Sequence, residues 1–173
     1  MPAMTHQRGF TLLEMVIVMV ILAVMAAAAG YGLQGGARAF GSSANAIHTL
    51  SKLRLAGERL TREIREIRRD LVTPAQYDIS TMMATTLAFT KSDGTAVTLA
   101  STAPLATLAY DSPAGTYTLT DAVSSLVFTY FQSDGITAAT GNADVAFVEF
   151  ELVLTRDGNQ YPQRSRVALR NQP

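Results

Sequence analysis

The chain has 173 residues, room for one domain and an appendage, and its fourteen basic and fourteen acidic residues cancel, which excludes a global attraction to nucleic acid or to an anionic surface. Cysteine is absent, so disulfides, thiolate metal sites and cysteine nucleophiles are excluded. The only histidines are His6 and His48, too few for a histidine-based triad or zinc cluster, and no glycine-rich nucleotide loop is present.

The first predicted element is an apolar helix over residues 10–33, unbroken by any polar residue between Met15 and Ala29. At about 1.5 Å per residue it would be about 36 Å long, enough to cross a bilayer. Glu14 lies at its start. A carboxylate within a membrane-length segment costs about 2.5 to 3.5 kcal/mol on insertion scales, so it calls for a partner. Other readings of such a run are a secretory signal peptide with small residues at positions 26–29, a plain single-span anchor, or a soluble core helix. The first leaves Glu14 opposing the insertion that the segment exists to promote, and the last lacks a solvated face. His6 and Arg8 precede the run with no acid before Glu14, which keeps the N-terminus cytoplasmic by the positive-inside tendency.

The order Arg8-Gly9-Phe10-Thr11-Leu12-Leu13-Glu14 followed by the apolar run resembles the class III signal of type IV prepilins and type II secretion pseudopilins. The resemblance implies that residues 1–9 are a leader removed by a prepilin peptidase after Gly9, and that the new terminal amine, on Phe10, is N-methylated. It implies an assembly role for Glu14, which neutralises the terminal amine of a subunit in the growing fibre. Opposite charges in a low-dielectric helical core attract strongly, and each is costly to bury alone. The implied partners are the prepilin peptidase, other pilins or pseudopilins, an inner-membrane assembly platform and the lipid bilayer. The implied location is the bacterial inner membrane, single-pass with the C-terminal domain periplasmic, and then the pilus or pseudopilus.

A glycine-rich hinge is expected at residues 34–42, because Gly30, Gly32, Gly35, Gly36 and Gly41 each weaken a helix by about 1 kcal/mol relative to alanine. Residues 43–72 then read as an amphipathic helix, with Ile47, Leu50, Leu53, Leu60, Ile64, Ile67 and Leu71 on one face, Gly57 in the missing place, Ser42 or Ser43 as N-cap and Pro74 as terminator. Its expected i,i+4 pairs are Arg54–Glu58, Glu58–Arg62, Arg59–Glu63 and Arg62–Glu66. The interleaved acids make this arginine-rich face a solvated or subunit-contacting surface, and no nucleic-acid partner is predicted.

Residues 73–173 change to short segments rich in Thr, Val, Tyr and Phe, with strands expected at 86–90, 96–99, 116–120, 126–131, 145–154 and 164–170. Residues 101–113 and 136–144 read as loops, and Asp93-Gly94, Asp134-Gly135 and Gly158-Asn159 as turns. A two-residue loop at Gly158-Asn159 sets Val148 opposite Leu169, Phe150 opposite Val167, Leu152 opposite Ser165 and Glu151 opposite Arg166. Helix first and antiparallel sheet after is an α+β domain; with the resemblance, the expected architecture is pilin-like. The sequence around residues 53–68 and the closing residues 166–171 resemble minor pilins of the mannose-sensitive haemagglutinin pilus and the J-type pseudopilin. Asp134, Asn142 and Asp144 read as turn residues before calcium ligands, so no metal or cofactor is predicted. The function implied is a minor, structural or initiating subunit of a type IV pilus or secretion pseudopilus, not an enzyme. The alternative is a membrane-tethered binding module that stays out of a fibre.

Overall fold

The computed structural model describes residues 11–169, so Gly9 and Phe10, the expected cleavage and methylation positions, lie outside the described residues. The chain divides into two compact units, residues 1–44 and 45–173. A single helix, α1 (Leu12–Arg65), contributes to both. In the first unit it is helical through the glycines at residues 30–41, where no atom lies near enough to meet an added Cβ. No residue of α1 before Asn45 is buried.

In the second unit the same helix is amphipathic, burying Thr49, Leu53, Ala56, Gly57, Leu60, Glu63 and Ile64. It ends at Arg65 rather than continuing to residue 72. The chain leaves the helix because its backbone finds partners in the sheet: Ile67 bridges to Lys91, Arg69 bridges to Tyr77, and Arg68 N–H donates to Thr90 O at 3.1 Å. Ile67 is still buried, so its place in the periodic pattern reflects the core and not the helix, whereas Leu71 is exposed. At the expected N-cap, Ser42 is already inside the helix and donates its hydroxyl to Ala39 O.

Among the described residues eight antiparallel strands follow. The five-stranded sheet runs in the order β1 (Ile79–Met82), β2 (Thr86–Thr90), β3 (Ala96–Thr102), β4 (Leu105–Asp111) and β5 (Ala114–Thr120). The three-stranded sheet is β6 (Val123–Phe131), β7 (Phe147–Arg156) and β8 (Asn159–Ala168). The expectation of a loop at residues 101–113 is corrected: the segment holds all of β4, with tight turns at Ala103-Pro104 and Ser112-Pro113, both cis. The prolines sit at the strand ends, where a missing N–H breaks no ladder bond. β1, four residues long, is a further strand beyond those the alternation predicts.

The hairpin register is also corrected. The turn is Asp157-Gly158, with φ of 51° and 78°, the positive pair that a type I′ turn requires. Val148 therefore faces Val167, Phe150 faces Ser165, Leu152 faces Gln163 and Glu149, not Glu151, faces Arg166. The displacement is two residues, one full side-chain period, so the inward and outward sets of each strand survive it. Val148, Phe150, Leu152 and Leu154 are fully buried and meet the α1 residues Leu53, Leu60 and Ile64 and the β2–β3 residues Leu87, Phe89, Val97 and Leu99 in one core.

Candidate functional site

The first candidate is the N-terminal part of α1. Thr11 caps it: its hydroxyl accepts from Glu14 N–H at 3.3 Å and its carbonyl from Met15 N–H at 3.2 Å. The order Thr11-x-x-Glu14 is a capping-box signature, a signal in the sequence that a membrane-centred reading passes over. Glu14 is exposed in the first helical turn, where the helix dipole favours a negative charge. Beyond it Leu12, Leu13, Met15, Val16, Ile17, Val18, Met19, Val20, Ile21 and Leu22 are all exposed. Among the described residues this is one helix long and apolar enough to cross a membrane, and none of its apolar window is buried by the chain itself. Contiguous apolar surface of this extent requires a covering of hydrocarbon or protein.

The second candidate lies within the folded unit and is a buried site that the pair spacing does not predict. Glu63, expected on the charged outer face, is only 1 % exposed. It receives Arg59 Nη2 at 2.8 Å and the Tyr110 hydroxyl at 2.8 Å on Oε1, while Lys91 Nζ faces Oε2 at 3.5 Å and also pairs with Glu66 at 2.6 Å. Arg59 in turn donates to the Tyr110 oxygen. Burial raises the Tyr110 hydroxyl above its ordinary pKa and donation to Glu63 adds to this, against the opposing effect of Arg59. Lys91 is lowered by its burial, but Glu66 and Glu63 outweigh that and hold its pKa above the ordinary value. The signal that locates Glu63 is its position: it is three residues from Leu60 and one from Ile64, on the apolar stripe. The arrangement joins α1 to β4 and to the end of β2 with fixed, mutually neutralised charges.

Of the expected i,i+4 pairs, Arg54–Glu58 forms at 2.9 Å and Arg59–Glu63 forms as above. Glu58–Arg62 and Arg62–Glu66 do not form, since Glu58 is taken by Arg54 and Glu66 by Lys91. On the outer face of the three-stranded sheet, Glu149 is held by Arg164 at 2.5 Å and Arg166 at 3.0 Å, and Arg166 also stacks over Phe131. Burial pushes the Glu149 carboxyl up, but the two arginines outweigh it and hold it below its usual value.

Asp134 accepts from the Ile136 and Thr137 N–H groups at 2.9 Å each, and Asp144 from the Thr140 and Gly141 N–H groups at 3.1 and 2.9 Å. Asn142 donates to Ile79 O. These side chains are spent on the loop backbone, and among the described residues no group of three acidic, histidine or cysteine side chains converges.

No curated protein matches the chain. Residues 4–30, which contain Gly9, Phe10 and Glu14, match the family described as the prokaryotic N-terminal methylation motif.

Proposed function

We propose that the chain is a minor type IV pilin or pseudopilin: an inner-membrane subunit cut after Gly9, N-methylated at Phe10 and drawn into a fibre through the N-terminal part of α1. The observation that carries this reading is the methylation motif over residues 4–30 running into an apolar helical surface that the chain leaves uncovered. A cysteine-free sheet domain supports a minor subunit, of either a pilus or a type II secretion pseudopilus, over a disulfide-closed major one. Its part is structural, and its partners are the prepilin peptidase, other subunits and the assembly platform. Before extraction the N-terminus is cytoplasmic and the sheet domain periplasmic.

Glu14 pairs with the terminal amine of Phe10 in the assembling fibre, where a lone carboxylate would be expensive and a paired one sets the axial register. Mass spectrometry of the mature N-terminus tests the processing, with N-methylated Phe10 expected and a start near Gly30 overturning it. Glu14→Ala and Glu14→Val test the assembly: both should be cleaved and inserted normally yet enter filaments poorly. Normal incorporation of both variants would falsify the assembly role, and absence of the native chain from purified filaments would favour a tethered binding module.

A further inference from the structure

We propose that the groove between α1 and β8 docks a short, extended, acidic segment of another protein chain. The groove holds about 520 Å³ and is lined on one side by Glu58, Thr61, Arg62 and Arg65 and on the other by Gln163 and Ser165. The four helix positions follow one another at steps of three, one and three residues and so share one face of α1. This site lies wholly within the folded unit and does not depend on the processing or assembly proposed above.

Three features of the groove match one kind of occupant. Glu66 also lines the groove, and its two glutamates already have cations, Arg54 at 2.9 Å from Glu58 and Lys91 at 2.6 Å from Glu66. Arg62 and Arg65 are exposed, and among the described residues no carboxylate lies within ion-pair distance of either. Each offers a planar fork of donors suited to a carboxylate. Among the described residues β8 has a neighbour, β7, on one side only, so its other edge presents backbone groups to an added strand.

The geometry also sets the form of the segment. Pro162 removes one donor from the strand, which confines productive pairing to the part of β8 beyond it. Acidic residues at alternate positions of an added strand stand about 7 Å apart, within reach of two long arginine side chains one turn apart on the helix. With only two unpaired cations and glutamates beside them, the groove suits two carboxylates rather than a run of phosphates.

The test uses the full chain in nanodiscs of neutral phosphatidylcholine and a fluorescein-labelled short peptide alternating glutamate and threonine, read by fluorescence anisotropy. Saturable binding is expected, weakened about tenfold or more in the double variant Arg62→Gln, Arg65→Gln and unchanged in Arg38→Gln. The same peptide N-methylated at alternate residues should bind as poorly as native peptide binds the double variant. The proposal is overturned by an absence of saturable binding, by equal binding to the double variant, or by undiminished binding of the N-methylated peptide. It is overturned equally if oligothymidylate, or nanodiscs containing phosphatidylglycerol, bind through Arg62 and Arg65 while the acidic peptide does not.

Discussion

The two parts of α1 are built from one continuous helix and behave oppositely. Before Asn45 no helical residue is buried, although the sequence there is the most apolar in the chain; after it seven are buried, although charged residues alternate throughout. Hydrophobicity therefore measures what a segment needs, and periodicity measures whether its own chain supplies it. A helix apolar on every side has no preferred face to offer a sheet, so it awaits a surrounding medium or an assembly. The helix after Asn45 has one face for the core and one for water.

Substitutions sharpen this contrast. The largest effect is expected in the core that α1 shares with the sheets: Phe150→Ala should cost about 3 to 5 kcal/mol and Leu60→Ala about 2 to 5 kcal/mol in denaturant unfolding of the sheet domain. Leu22→Ala, an equally apolar deletion in the uncovered part, should change that same unfolding by less than about 0.5 kcal/mol. Similar losses for Leu60 and Leu22 would break the comparison.

Glu149→Gln should come next, at about 1.5 to 3 kcal/mol, because it removes the charge that two arginines hydrogen-bond. Its carboxyl is held below the ordinary value of 4.5, so its contribution is complete above that pH and is lost as pH falls through the lower folded value. The variant should accordingly lose part of the acid sensitivity of the unfolding curve. Smaller still, Gly32→Ala and Gly35→Ala should each raise the helicity of α1, worth about 1 kcal/mol of helix propensity, because neither position meets a neighbouring atom. Circular dichroism in detergent reads that gain. A hinge role for these glycines in assembly predicts that the same variants enter filaments less well.

The sequence made the class of fold and most of the strands legible, since β2, β6 and β7 announce themselves by alternation and by flanking turn residues. β4 was hidden because Pro104 and Pro113 punctuate it at both ends and read as a loop. The hairpin was displaced because both Asp157-Gly158 and Gly158-Asn159 are turn dipeptides; alternation fixes the face of a residue but leaves even displacements undecided. Glu63 is buried although its pair spacing with Arg59 suits the outside, because pair spacing on a helix is blind to which side the core occupies. The methylation signal was readable for a different reason: it is a linear pattern recognised in order, and needs no tertiary structure to be seen.

The Asn45 side chain donates to Asp157 at 2.9 Å, a contact spanning 112 residues. Its counterpart in the core is the meeting of Leu53 and Leu60 with Val148, Phe150, Leu152 and Val167. The helix is thus made before the strands that cover it. Its apolar stripe has to wait for the β7–β8 hairpin before it can leave water, and closing so large a loop is slow. That interval is when the unfinished domain is most open to proteases and to wrong pairing along the edges of the unfinished sheets. A chain that stops before β7 would carry an intact apolar helix with no finished domain behind it, so closing the core over α1 depends on strands made long after the helix itself.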